Sequence, residues 1–178
     1  REAWRTKLHP PSQASRITHH VSRPMRIAVI SDTHNFLDPK IPKLFAGVDH
    51  ILHGGDIGMP MIVLELEEIA PVTAVAGNTD DPGFHYRQTQ IVEIAGRKFI
   101  IHHIVNPHAQ GGPIKALITR ECPAVVVFGH THKPFSETIG GTLFFNPGYA
   151  GEFRSGMERS VAILHCSEKE IRPEYLKL

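Results

Sequence analysis

Apolar and polar positions alternate along the chain in blocks that predict strands connected by helices. The run at residues 26–30 is short and β-branched, which is typical of a buried strand. Similar runs predict further strands at 50–53, 72–75, 90–94, 98–101, 124–128, 136–138, 142–146, 160–166 and 170–175. Apolar residues at helical spacing predict helices at about 41–48, 59–70 and 114–122.

The order of these elements predicts an α/β fold with more than one sheet. Strands and helices alternate in the first half, as they do in parallel sheets with crossover connections. In the second half, the strands at 90–94 and 98–101 flank Ala95-Gly96-Arg97 as a hairpin, and two more hairpins follow. We therefore expect two mixed β-sheets with helices on the outside.

Composition favours a single globular domain. The chain has 178 residues, of which 41% are hydrophobic and 21% are charged. Its longest apolar stretch near a strand centre, 124–128, is far shorter than the roughly 20 residues of a membrane-spanning helix, so no membrane partner is expected. Cys122 and Cys166 are far apart and form no C-x-x-C pair, which argues against a thiolate zinc cluster or a disulfide scaffold. We expect a cytoplasmic protein.

Residues 1–24 differ from the rest of the chain in charge. They carry five Lys or Arg and one Glu, so the net charge of +1 for the whole chain leaves −3 on residues 25–178. The segment shows no hydrophobic periodicity and no signal-peptide core. We predict an extended basic tail over 1–24, with a transit peptide or a metal-binding arm through His19 and His20 as alternatives, and a single domain over 25–178.

Side chains with metal-binding chemistry follow five of the predicted strands. They lie in the segments Ser31-Asp32-Thr33-His34, Gly54-Gly55-Asp56, Gly77-Asn78-Thr79-Asp80, His102-His103 and Gly129-His130-Thr131-His132. The carboxyl edge of a sheet is where open α/β folds build their sites. Carboxylate, carboxamide and imidazole donors suit a first-row divalent metal, and six or seven of them exceed the four of a closed tetrahedral site. Two ions that share an aspartate would use them all, an arrangement suited to phosphoryl displacement.

The spacing within these segments has a physical interpretation. In Asp32-x-His34 and His130-x-His132, residues two apart in extended backbone would project to the same side. The glycines before Asp56, Asn78 and His130 would allow the backbone to turn sharply or to approach an ion closely.

Taken in order, the five segments resemble the motif series of the calcineurin-like metallophosphoesterases. The short chain without a cap domain, together with Asn146-Pro147-Gly148, is similar to the small bacterial and archaeal phosphodiesterase branch of that family. The resemblance covers residues 25 to about 178. It implies a four-layer αββα sandwich and a single metallophosphoesterase domain over 25–178.

The resemblance also implies a role for each motif residue. The first metal would be held by Asp32, His34 and His132, the second by Asn78, His102 and His130, and Asp56 would bridge both. A hydroxide between the ions would attack phosphorus, and Asp80 would fix a neighbouring group. Manganese, iron, nickel, cobalt and zinc all suit this mixture of oxygen and nitrogen donors.

Two positions depart from the pattern of the family. Many relatives have a histidine at the third position of G-N-x-D, where it can protonate the leaving group, but this chain has Thr79, which cannot act as an acid near neutral pH. Protonation would come from water, from His103 or not at all, so we expect a preference for good leaving groups. Relatives also tend to have glycine where His103 stands, which leaves the choice between His102 and His103 as ligand open.

We expect a phosphodiesterase that hydrolyses a small phosphate ester. The sequence does not decide whether the protein forms a homo-oligomer. A non-catalytic scaffold is one alternative, because the retromer sorting subunit resembles this fold with an impaired site, but no expected donor is missing here. A nuclease is another, although a charge of −3 on residues 25–178 makes nucleic acid an unfavourable partner. Among the cations Arg87, Lys133, Arg154 and Arg159, Lys133 stands nearest to a ligand in sequence.

Overall fold

The computed structural model of the chain describes residues 23–167 and 169–178. Most of the predicted basic tail, residues 1–22, lies outside this part. The elements in chain order are β1 (Met25–Ile30), α1 (Ile41–Leu44), β2 (His50–His53), α2 (Met61–Glu67), β3 (Val72–Ala74), β4 (Thr89–Ile94), β5 (Arg97–His102), α3 (Pro113–Glu121), β6 (Val125–Val127), β7 (Phe135–Ile139), β8 (Thr142–Asn146), β9 (Ser160–Cys166) and β10 (Ile171–Lys177). A short 3-10 helix, Pro82–Phe84, follows β3.

Two five-stranded sheets contain the strands. The first has the order β10-β9-β1-β2-β3 and the second the order β4-β5-β6-β8-β7. In the first sheet β1, β2 and β3 are parallel to one another. Strand β9 is antiparallel to β1, and β10 is antiparallel to β9. In the second sheet β5, β6 and β8 are parallel and carry an antiparallel strand on each side. Both sheets are therefore mixed, as the sequence predicts.

Three hydrophobic layers connect the elements. Residues of both sheets, including Val29, Phe99 and Phe145, form the central layer. Ile41 and Leu66 of the first two helices pack on the outer face of the first sheet. The third helix covers the outer face of the second sheet through residues such as Ile118. This arrangement confirms the predicted αββα sandwich.

The helices are shorter than the sequence pattern predicts. The pattern predicts a second helix over 59–70, but α2 ends at Glu67 because the chain then tightens into a turn in which the Ile69 amide donates to the Leu66 carbonyl. The first helix stops at Leu44. In the part of the chain that the structure describes, no helix is long and apolar enough to cross a membrane.

The carboxyl ends of β1, β2, β3, β5 and β6 meet at one edge of the sandwich. The loop after β1 contacts the loop after β6, where the His130 amide donates to Asp32. The loop after β2 contacts the end of β5, where Asp56 lies beside His103. The predicted motif segments therefore converge at this edge.

Candidate metal centre

Four of the predicted ligands form a compact group, which we call the four-residue cluster: Asp32, His34, Asp56 and His132. One ligand atom from each lies within 4.8 Å of all the others. The His34 and His132 Nε2 atoms are 3.3 Å apart. His132 Nε2 lies 3.3 Å from Asp32 Oδ1, and His34 Nε2 lies 3.7 Å from Asp56 Oδ2. Carboxylate and imidazole donors that converge in this way fit a first-row divalent cation.

Left-handed backbone turns, not extended backbone, bring the cluster together. The φ angles of Asp32, His34, Asp56 and His132 are 57°, 45°, 52° and 56°. The explanation from extended D-x-H and H-x-H segments is therefore wrong, although the side chains of Asp32 and His34 do converge. Hydrogen bonds between loops hold the turns, because the Asp32 amide donates to the Gly55 carbonyl and the His34 amide to the Asp56 carbonyl, both at 3.0 Å.

The electrostatics of the cluster favour a bound cation. Asp32 and Asp56 are both buried. Burial raises the pKa of Asp32 to about 6, against the opposing effect of the Ser31 side chain. Burial also acts to raise the pKa of Asp56, but the neighbouring His103 ring and the hydrogen bond from the Thr79 amide keep it well below its usual value. Two buried carboxylates that face imidazoles of lowered pKa form a site that a divalent cation would stabilise.

Three further donors, Asn78, His103 and His130, lie beside the cluster, and we call them the second group. Asn78 Oδ1 and His130 Nδ1 are 2.8 Å apart, within hydrogen-bond distance, so the two side chains meet. The His103 and His130 rings meet edge to face, with centroids 5.4 Å apart. The His130 amide donates to both carboxylate oxygens of Asp32 and so connects the second group to the cluster.

His103 has the geometry of a ligand with a free donor atom. Its Nδ1 is 2.8 Å from the Gly54 carbonyl, so Nδ1 carries a proton, and in the neutral form of the ring that binds a metal Nε2 has the free lone pair. This Nε2 is buried and has no hydrogen-bond partner within the described residues, and it lies 3.4 Å from Asp56 Oδ2. A buried polar atom without a partner is rare in proteins, and a metal ion would satisfy it.

His102 lies apart from these donors. Its Nδ1 is 2.9 Å from both the Gln88 carbonyl and Thr89 Oγ1. Together with Gln88, Asn78 and Ile104, it lines a cavity of about 180 Å³ next to the second group. His102, which the resemblance assigns as a metal ligand, therefore lies beside the centre. Its neighbour His103 faces Asp56 instead.

Asp80 connects two of the loops through hydrogen bonds from backbone amides. Its Oδ1 accepts a hydrogen bond from the Gly58 amide and its Oδ2 from the Gly77 amide, each at 2.7 Å. A Cβ atom on Gly77 would overlap Asp56 Oδ1, so glycine is required where the third loop passes the carboxylate. Asp80 therefore fixes the position of the loop that carries Asn78.

His53 forms a buried hydrogen-bonded support under the centre. Thr33 Oγ1 donates to the Ile57 carbonyl at 2.9 Å, so it accepts from His53 Nε2 at 3.0 Å. Nδ1 of the same ring accepts from the Gly55 amide at 3.2 Å. Both ring nitrogens are satisfied in the neutral form, and burial lowers the pKa of His53 to about 3.

The sequence pattern assigned no role at the centre to two supporting residues, Asn146 and Tyr149. Asn146 Nδ2 donates to the Gly129 carbonyl at 2.8 Å and to Thr131 Oγ1 at 3.1 Å, which holds the turn that carries His130. A buried asparagine at the end of an apolar strand, followed by Pro-Gly, is the signal that could have found it. The Tyr149 ring packs against His132 and His34, with centroid distances of 4.8 and 6.0 Å.

Comparison with known proteins identifies the family. Residues 25–169 match the calcineurin-like phosphoesterase superfamily domain. The chain is 35% identical over 131 residues to a probable metallophosphoesterase of Methanothermobacter thermautotrophicus, which covers 70% of this chain and 76% of the relative. It is 29% identical over 167 residues to the phosphodiesterase MJ0936 of Methanocaldococcus jannaschii, which covers 83% of this chain and 97% of the relative.

A solved structure shows the same fold at low sequence identity. Vps29 of Entamoeba histolytica in complex with zinc superposes with a TM-score of 0.66 at 19% identity, and the match covers 86% of this chain and 99% of that protein. The family match extends over most of the described chain and includes every predicted ligand. The chain therefore belongs to the calcineurin-like phosphoesterase superfamily, which confirms the predicted class of enzyme, a metal-dependent phosphoesterase.

Proposed function

We propose that the protein is a phosphodiesterase that hydrolyses a small phosphate diester with two divalent metal ions. One observation carries the proposal: Asp56 Oδ2 faces both donor groups, 3.7 Å from His34 Nε2 and 3.4 Å from His103 Nε2. A single carboxylate oxygen between two sets of imidazoles is suited to a bridge between two ions. Ions bound there would supply an acidified water as nucleophile and positive charge for the phosphoryl oxygens.

The proposed ligands follow the resemblance with one revision. The four-residue cluster would hold the first ion, and the second group together with Asp56 would hold the second. We assign His103 to this group in place of His102, because the buried Nε2 of His103 lies 3.4 Å from Asp56 Oδ2, whereas the described contacts of the His102 ring are with Gln88 and Thr89. His103 is then a ligand and not the proton donor for the leaving group.

The remaining side chains would orient these ligands. The Thr79 amide donates to Asp56 Oδ1 at 2.9 Å, which directs Oδ2 towards the imidazoles. Asp80 acts as a positioning residue through the Gly58 and Gly77 amides. With threonine at position 79 and His103 among the ligands, we assign no described residue as the acid for the leaving group, and we propose substrates whose leaving alcohol is acidic.

The size and charge of the site support a small substrate. The cavity beside the second group, about 180 Å³, has room for one modest ester substituent. The net charge of −3 on residues 25–178 is unfavourable for a long polyanion, so we propose neither a nuclease nor a nucleic-acid partner. A role as scaffold alone is disfavoured because every expected donor is retained. Cys122 and Cys166 are both free thiols, which supports a cytoplasmic location.

Metal titration combined with hydrolysis tests the proposal. Metal-free protein should bind two Mn²⁺ per chain by calorimetry and then hydrolyse bis(p-nitrophenyl) phosphate, with Fe²⁺, Co²⁺, Ni²⁺ and Zn²⁺ as further ions to compare. Saturation at one ion per chain would contradict the dinuclear arrangement. Two bound ions without hydrolysis of any activated diester would contradict the phosphodiesterase proposal and favour the scaffold.

A further inference from the structure

Arg154 is an exposed cation close to the centre whose charge no described carboxylate neutralises. Its guanidinium carbon lies 5.3 Å from the centroid of the Tyr149 ring, and it makes no ion pair within residues 23–167 and 169–178. Arg159, by contrast, pairs with Asp38 at 2.7 Å. Lys133 lines a separate cavity with Pro107 and Phe135. Of these three cations, only Arg154 combines a free charge with a position next to the predicted ligands.

Tyr149 determines where this charge is held. The ring contacts Arg154 as well as His34 and His132. A guanidinium stacked on an aromatic face keeps the N–H groups at its edge available for an anion.

The position of Arg154 indicates what it would bind. Arg154 contacts the Tyr149 ring and is not one of the predicted ligands, so it lies at the margin of the centre, on the side of His34 and His132. The cavity next to Asn78 and His103 lies at the other end of the centre and is suited to one ester substituent. Arg154 is therefore placed for the other substituent of a diester.

We propose that Arg154 is a specificity-determining residue that binds an anionic group on the substituent that the substrate retains after hydrolysis. The inference rests on the proposed phosphodiesterase function and narrows its substrate class to diesters with a second negative charge, as a carboxylate or a phosphate. Arginine suits either anion because its planar fork can donate two parallel hydrogen bonds.

Three activated diesters with the same leaving group test this proposal. Ethyl, carboxyethyl and choline p-nitrophenyl phosphates release the same phenolate but carry a neutral, an anionic or a cationic retained group. The Mn²⁺-loaded wild type should have the highest kcat/KM for the carboxyethyl ester and the lowest for the choline ester. In Arg154→Gln, the ratio of these two kcat/KM values should fall by about tenfold or more, as expected for the loss of a charged hydrogen bond.

Two controls separate the explanations. Arg154→Lys should retain part of the ratio, because its charge remains but its fork is lost, and Arg120→Gln, on the exposed face of α3, should leave the ratio unchanged. Carboxyethyl phosphate should raise the melting temperature of the loaded wild type more than that of Arg154→Gln. Equal loss on all three esters in Arg154→Gln, or no change in the ratio, would overturn the inference. Failure of the wild type to hydrolyse any ester would instead overturn the proposed function.

Discussion

The two halves of the centre are constructed differently. Every residue of the four-residue cluster has left-handed backbone, whereas in the second group only His130 does. The cluster is therefore defined by loop conformation, while the second group depends on which side chains turn inwards from more ordinary backbone. The sequence pattern identified the whole cluster by residue type, but it left one member of the second group open between two neighbours.

The left-handed turns have an energetic cost that the fold must offset. A non-glycine residue in this region costs on the order of 1 kcal/mol or more. The cost falls on the residues that would hold the first ion, which lie two to five residues beyond the ends of β1, β2 and β6. Hydrogen bonds from the Asp32 and His34 amides to the neighbouring loop hold these turns in place.

Replacement of Asp56, which contacts both halves, should have the largest effect. Asp56→Asn should lower kcat/KM on bis(p-nitrophenyl) phosphate by at least about 10³-fold, because removing the charge of the bridge weakens both ion sites. Calorimetry should show fewer than two ions bound per chain at concentrations that saturate the wild type. Asp81→Asn, an exposed aspartate in the same region, is the matched control. Retention of two tightly bound ions in Asp56→Asn would refute the bridge.

A matched pair of variants should distinguish the adjacent histidines of the second group. His103→Ala should lower kcat/KM by about 100-fold and reduce the stoichiometry towards one ion, because it removes a buried nitrogen donor. His102→Ala should keep two ions and lose less than about tenfold, because its ring contacts Gln88 and Thr89. The reverse order of effects would restore the original assignment of His102.

Asp80 should have a smaller effect that reaches the centre only through the loops. Asp80→Asn keeps the shape of the side chain but weakens the two hydrogen bonds from Gly58 and Gly77. We expect a loss of about 10- to 100-fold in metal affinity with two ions still bound at saturation. A stoichiometry of one at saturating metal would instead make Asp80 a ligand.

His53 should affect stability and its dependence on pH. The ordinary pKa of 6.5 applies in the unfolded chain, and the folded value is about 3. Between these values the unfolded state binds the extra proton, so this residue makes stability fall as pH falls below about 6.5, by about 2 kcal/mol at pH 5. In urea unfolding of metal-free protein, His53→Gln should remove that part of the loss between about pH 8 and pH 5. Parallel pH profiles for the two proteins would contradict a buried neutral His53.

Much of the fold could be predicted from the periodicity of the sequence. The run at 50–53 predicts β2 with the bounds that the structure has. The prediction succeeds because two glycines follow the run directly. Helix ends were less predictable. The last residues of the 59–70 pattern keep helical spacing, but Pro71 prevents the helix from continuing and the chain tightens into a turn after Glu67.

The choice between His102 and His103 depends on strand register. His102 is paired with Thr89 across the antiparallel ladder and is held at the edge by that partner. His103 lies just past the strand end, where the chain can turn its ring under Gly54. No local pattern contains this difference, because it depends on a strand thirteen residues away.

Contacts between distant loops also escaped the sequence pattern. Tyr149 follows Asn146-Pro147-Gly148, but its position against His34 and His132 depends on a loop more than a hundred residues from His34. Arg154 lies in the same loop and acquires its significance only through Tyr149. Judged only by distance along the sequence from a predicted ligand, Lys133 is the nearest of the candidate cations, but in the structure it lines another cavity.

A crystal structure of the Mn²⁺-loaded protein with anomalous diffraction data would test the central claim most directly. We predict two anomalous peaks joined by Asp56, the first bound by Asp32, His34 and His132, and the second by Asn78, His103 and His130. A single peak within the four-residue cluster, or a second ion bound by His102 with His103 unbound, would contradict it.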